Sequence, residues 1–261
     1  SKILLTSQTN LAVDNALERL QGRRGIRPVR IQNASTEKEI GIEAKRYMLD
    51  FMEDWCIKPS AENEDNGTNI WIDSILKGMT DDTKYASVIN QWKRDLTVRD
   101  RNTREYFYEA YKSNVNLVAA TCSICVSKQL QEIYKYLFGN NENAFDVVIM
   151  DEASQALLAM FAASNKIGKR KLWVGDTAQL GPVLSLNDNR VKSNLFDDFK
   201  EGFRTLTTKR IYPTYQLTAT FRLTQRSANY TGYFYNGTLI SKSTINPIVL
   251  NSFSKILNSN G

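Results

Sequence analysis

The sequence predicts an α/β fold: a mostly parallel sheet with flanking helices, interrupted by an all-helical insertion. Three observations carry this reading. Val147-Val148-Ile149-Met150 is a short apolar run with no polar face, as expected of a strand buried on both sides. A second apolar run, Leu172-Trp173-Val174, follows after a segment of helical length, so the two strands are expected to be parallel. Residues 35–114 abandon this alternation for helical spacing throughout.

Taken in order, residues 1–34 read strand, helix, strand. Ile3, Leu4 and Leu5 are apolar, Leu11 to Leu20 has helical spacing, and Pro28-Val29-Arg30-Ile31 is a short extended run. Thr36-x-x-Glu39 is a capping box that would open a helix. Ile40, Ala44, Tyr47, Met48, Phe51, Met52 and Trp55 then recur at helical spacing, predicting one amphipathic helix. The polar stretch 58–69 is a loop. Further helices are expected through Trp71 and Ile75, through Tyr85, Val88, Ile89 and Trp92, and through Tyr106, Phe107, Ala110 and Tyr111. The α/β rhythm resumes at Val115 and runs to Arg210, with strands near 116–121, 146–150 and 171–175. From Tyr212 onward something new begins, and 251–261 is a polar tail expected to fray.

The insertion holds Lys93, Arg94, Arg99, Arg101 and Arg104 close together. They could form an arm over a polyanion backbone, but interleaved Asp95, Asp100 and Glu105 favour a solvated helix face. Its aromatics Trp71, Trp92, Tyr106 and Phe107 could stack bases, yet a helical insertion needs a small core, and these residues are expected to supply it.

Composition narrows the chemistry. With 42% hydrophobic residues the 261-residue chain can bury a core, which argues against wholesale disorder. A formal charge of +6 and a pI near 9.1 permit a polyanionic partner but indicate one only weakly. The sequence has no histidine, which excludes His-ligated metal and any Ser-His or Cys-His nucleophile. Three cysteines, Cys56, Cys122 and Cys125, are too few for a four-thiolate zinc site and point to a reducing, intracellular compartment. No apolar run approaches 18 residues, so no membrane partner is expected.

The polar turns after the two apolar strands carry the functional signal. Asp151-Glu152 lies at the carboxyl end of its strand, where ligands of open α/β sheets bind. One acid there suits Mg²⁺ and the other an attacking water, the pair a nucleotide triphosphatase needs. A solvated acidic turn is the other reading. Gly175-Asp176 and Gln179 occupy the matching place on the next strand, with Gly175 allowing a sharp turn and Gly181-Pro182 closing the loop.

These residues also carry a resemblance. MDEASQA (150–156) resembles motif II, or Walker B, and VGDTAQLGPV (174–183) resembles motif III of superfamily 1 helicases, in the branch typified by the nonsense-mediated-decay helicase. TSQTNLAVDNALERL (6–20) resembles motif Ia, VAATCSICVSKQL (118–130) motif Ib, and 215–239 motif IV and its continuation, all in the family's order. No Gly-x-x-x-x-Gly-Lys-Ser/Thr occurs, and Gly168-Lys169 lacks its first glycine and its hydroxyl residue. The family's phosphate-cradling loop precedes motif Ia, so the resemblance implies a piece of a longer protein, inactive by itself.

What the resemblance implies is specific. The fold would be that of a RecA-like P-loop NTPase. Residues 1–34 and 115–210 would form part of the first RecA-like domain, 35–114 its helical insertion, and 211–261 the start of the second domain. The parent would be an ATP-dependent helicase or translocase, using ATP and Mg²⁺ to move on single-stranded DNA or RNA, with a monomer expected. Asp151 would hold Mg²⁺, Glu152 would position and polarise the attacking water, and Gln179 would sense the γ-phosphate. Arg222 would reach that phosphate from the second domain, although Leu223-Thr224-Gln225 departs from the family pattern after it. Thr9, Asn10 and Thr121 would line the single-strand track through phosphate and sugar; a plain N-cap is the bland reading of Thr9. A non-catalytic nucleic-acid-binding or scaffolding module that keeps the fold is the alternative.

Overall fold

The computed structural model describes residues 1–23, 25–32, 40–80, 83–139, 145–182, 202–209 and 212–244. The expected capping box at Thr36 and Glu39, the end of the α/β rhythm at Arg210, the last residue of the 174–183 motif and the polar tail 251–261 lie outside them. The chain divides into two compact units, 1–208 and 209–261.

In the first unit β1 (Ile3–Ser7) leads to α1 (Asn10–Arg19) and β2 (Pro28–Arg30). Five helices follow: α2 (Ile42–Lys45), α3 (Leu49–Ile57), α4 (Gly67–Gly78), α5 (Ala86–Val98) and α6 (Arg101–Ser113). Then come β3 (Leu117–Thr121), α7 (Lys128–Phe138), β4 (Phe145–Met150), α8 (Leu158–Asn165), β5 (Gly168–Trp173) and α9 (Gly202–Thr208). The five strands form one sheet in the order β2-β3-β1-β4-β5, with parallel pairing throughout.

Strand alternation sorts the core into two layers. Ile3, Leu5, Leu117 and Ala119 face α1 and α2, where Val13, Leu17, Ala44 and Tyr47 pack. Leu4, Val118 and Val148 face the other way, against α7 and the helices of the insertion. Met52, Trp55, Ile72, Leu96, Tyr108 and Tyr111 join this same cluster. The insertion therefore shares the sheet's core: α3 to α6 cover this face, while Ala44 and Tyr47 pack on the other. The fully buried Tyr111 fastens it further by donating its hydroxyl to the Pro28 carbonyl at 2.8 Å.

Two expectations for the insertion are corrected. The single helix expected from Ile40 to Trp55 is two, α2 and α3, because the backbone between them is used elsewhere. The Arg46 carbonyl accepts from Gly67 N at 2.7 Å and the Tyr47 carbonyl from Arg30 N of β2 at 2.9 Å, while Met48 is extended. Of the four aromatics, Trp71 and Phe107 pack edge-to-face on each other and against the core, but Trp92 and Tyr106 are exposed. The basic residues are largely engaged within the insertion: Arg99 with Asn69 and Asp73, Arg101 with Glu105, Arg104 with the Cys56 and Arg99 carbonyls.

β5 begins three residues earlier than the sequence suggests, and Lys169, Arg170 and Lys171 on it are exposed. Charges on an edge strand hinder pairing with another chain. In the second unit β6 (Ala219–Thr220) and β7 (Ile240–Ser241) pair in parallel around α10 (Gln225–Thr231), whose cap Thr224 accepts from Ser227 N at 3.3 Å. Among the described residues no helix is long and apolar enough to cross a membrane.

Candidate functional site

Parallel register brings several sequence-predicted residues to one edge. Ser7 lies opposite Thr121, Thr6 opposite Met150, and Met150 opposite Trp173. Thr9 and Asn10, Thr121, Asp151 and the Asp176 turn thus all leave the sheet at its carboxyl edge. β1 has β3 on one side and β4 on the other, and the chain changes sides after β3, which is where such sheets bind ligands.

Asp151 continues the ladder past the end of β4: its N–H donates to the Thr6 carbonyl at 2.9 Å. Its Oδ1 accepts from Glu152 N at 3.0 Å, and both side chains are half-exposed. Glu152 has φ 52° and ψ 39°, the left-handed region. That conformation costs a residue with a Cβ roughly 1–2 kcal/mol, and such strain gathers where geometry matters more than stability. The next turn, 153–155, is pinned to the residue after β5: Ala153 N donates to the Val174 carbonyl at 2.8 Å.

The Asp176 turn sits against it. Asp176 N reaches Ser154 Oγ at 3.4 Å, and its carboxylate accepts from Ala178 N at 3.0 Å and from the Gln179 amide at 3.0 Å. Gln179 is exposed and held by Asp176. Gly175 is needed here for space. A Cβ at this position would come within 2.8 Å of Ser154 N and 3.1 Å of the Phe203 ring. Its φ is not positive, so the expectation of a glycine-specific turn is replaced by one of close packing. Phe203 itself, on α9, gives no signal in the sequence; it packs with Met150, Ala153 and Phe161 beneath the acidic turn.

On the other side of β1, Thr9 is an ordinary N-cap, its Oγ1 accepting from Ala12 N at 3.3 Å. Asn10 Oδ1 accepts from Arg30 Nη2 at 2.9 Å. Thr121 ends β3 and shares a 3.0 Å hydrogen bond with Ser123 Oγ. Below them Thr6 Oγ1 lies 3.5 Å from both Cys122 Sγ and Cys125 Sγ. Burial pushes both thiols up, that of Cys125 to about 12, so they are protonated at neutral pH and poor metal ligands. Arg222 belongs to the second unit; it is exposed and its N–H donates to Thr220 Oγ1 at 3.3 Å.

Among the described residues no cluster of three or more potential metal ligands occurs. A cation at Asp151 would take most of its oxygens from water and substrate, the habit of Mg²⁺.

A parallel sheet with an acid pair at a strand end and a helix start beside it is of the RecA-like, P-loop type. Residues 1–185 match the family described as AAA domain, and the chain belongs to that family, within the superfamily 1 helicase-like group. Over 97 residues it is 33% identical to the DNA replication ATP-dependent helicase/nuclease DNA2 of Saccharomyces cerevisiae, covering 36% of this chain and 6% of that protein. The chain thus matches a small fraction of that relative's length.

Proposed function

We propose that the chain is part of an ATP-dependent helicase or translocase that moves along single-stranded DNA or RNA. The observation that carries the reading is the Asp151-Glu152 turn at the carboxyl end of β4, beside β1 and its helix start, in a member of a helicase-like family. Asp151 offers a hard oxygen at a half-exposed strand end, which fits Mg²⁺; a bound Mg²⁺ would neutralise charge developing on phosphate oxygens. Glu152 positions and polarises the attacking water. Gln179 senses the γ-phosphate and relays its presence to the strand side. Arg222 meets the same phosphate with a rigid fork of donors that stays charged.

Thr9, Asn10 and Thr121 hold the strand by phosphate and sugar, so binding discriminates little between sequences. ATP binding and hydrolysis close and open the cleft between two RecA-like domains, and the strand advances once per cycle. The protein works as a monomer inside the cell, in keeping with three reduced, buried cysteines. The second reading is a non-catalytic nucleic-acid-binding or scaffolding module that keeps the fold. The test is ATP hydrolysis by the longest natural polypeptide containing this chain. Stimulation by single-stranded nucleic acid supports the helicase. Strand binding without hydrolysis supports the module.

A further inference from the structure

Leu20 at the end of α1, Ile26 just before β2, and helix α4 border a cavity of about 380 Å³, within the roughly 300–1,000 Å³ of small-molecule sites. Protein interiors seldom leave a void larger than a water molecule, so this space exceeds ordinary packing slack. Its floor is the buried Tyr47, Tyr111 and Pro28, and α4 gives its wall Trp71, Ile75 and Met79. Trp71 is held edge-to-face by Phe107 and Tyr111, with ring centroids 5.8 and 5.9 Å away, and by the Arg27 guanidinium at 5.8 Å. Gly22, Gly25 and Gly78 also line the space and bring no side chain to fill it. Pro28 is the first residue of β2, opposite Leu117, so the cavity sits at the amino edge of the sheet, away from Asp151.

We propose that this cavity binds a small aromatic anion, a ring system about the size of naphthalene with one negatively charged group; the inference stands apart from the nucleotide reading. The lining selects against a sugar or another polyhydroxylated ligand. Two of its hydroxyls are already used, Tyr111 donating to the Pro28 carbonyl at 2.8 Å and Ser74 to the Trp71 carbonyl at 2.7 Å. A polar ligand would give up its water for few hydrogen bonds in return. Apolar and aromatic surface remains, which suits a flat ring through offset and edge-to-face contacts. Trp71 is fixed by its neighbours beforehand, so little side-chain freedom is lost when a ring arrives. Arg23 sets the charge. It is exposed where it lines the cavity, and among the described residues no acid pairs with it. Its guanidinium presents a planar fork of donors that matches a carboxylate or phosphate.

The test is equilibrium dialysis of 2-naphthoate against the 261-residue chain, with melting temperature in parallel. One saturable site is expected, with a dissociation constant on the order of 0.1 mM for a ligand this small. The neutral 2-naphthamide keeps the rings and should bind roughly fivefold more weakly, the worth of a solvent-exposed ion pair. Arg23→Gln should weaken the naphthoate by that factor and leave the naphthamide unchanged. Ser74→Phe places a ring in the cavity and should abolish saturable binding of both probes. Should it fail to fold, Gly78→Leu fills the same space from the end of α4. Wild-type binding by a folded Ser74→Phe or Gly78→Leu variant overturns the site, as does the lack of saturable binding to the parent chain. Equal affinity for the two probes, or an Arg23→Gln variant that binds the naphthoate like the parent, overturns the anion.

Discussion

Gly175→Ala should be more damaging than a one-carbon change suggests. The added Cβ would lie 2.8 Å from Ser154 N and 3.1 and 3.2 Å from two Phe203 ring carbons, inside the 3.5–4.0 Å of an ordinary contact. Neither neighbour can yield alone. The 153–155 turn is pinned by the Ala153 N to Val174 carbonyl bond, and Phe203 is wedged among Met150, Ala153 and Phe161. Overpacking of this kind costs about 1–3 kcal/mol, and each kcal/mol lowers the melting temperature of a unit this size by about 2–4 °C. Gly41→Ala is the internal control: among the described residues its Cβ would meet only Asp14, at 3.6 and 3.9 Å, and its backbone is already that of an L-residue. It should be neutral or stabilise by about 0.4–1 kcal/mol through the unfolded chain. Urea unfolding of the two variants beside the parent decides. Equal stability of Gly175→Ala and Gly41→Ala would refute the close-packing argument.

Three other outcomes follow from the same geometry. Glu152→Gly relieves the left-handed backbone and should raise stability by about 1 kcal/mol, measured by the same unfolding; a loss would mean the conformation is not strained. Burial holds the Cys125 thiol up to about 12 against an ordinary 9, so the folded chain keeps a proton the unfolded chain releases. Stability should therefore fall as pH rises from about 9 toward 12, less steeply in Cys125→Ser, and elemental analysis should find no stoichiometric zinc. Thr9→Ala and Thr121→Ala should each weaken single-strand binding by the same factor on every sequence, because a phosphate contact carries no base information; a loss confined to one sequence would assign them to base readout.

Much of this fold is legible because buried parallel strands leave continuous apolar runs, as at 147–150, and because Thr9 marks a helix start by its own chemistry. What escapes the sequence does so for physical reasons. β5 opens on Gly168-Lys169-Arg170-Lys171, which looks like a loop, since an edge strand bears charge without penalty. The helix expected at 40–55 breaks because β2 and α4 take two of its carbonyls, partners distant in sequence. Arg30 stands within the extended run 28–31, and nothing local in the sequence pairs it with Asp14. Glu152 gives no sign of its left-handed backbone, and Gly175 suggests a turn when its neighbours require the space.

The acid pair is central to the proposed chemistry, and separating its two members tests it most directly. In the longest natural polypeptide carrying this chain, Glu152→Gln keeps shape and hydrogen bonding but loses the charge that polarises water. It should leave Mg-ATP binding nearly intact and cut turnover by about 10² or more. Asp151→Asn should instead change the Mg²⁺ dependence, because a hard cation prefers a charged oxygen. Turnover measured across a Mg²⁺ titration for both variants tells the two roles apart. Equal, minor effects of the two substitutions would contradict the catalytic assignment and leave an acidic turn on a non-catalytic module.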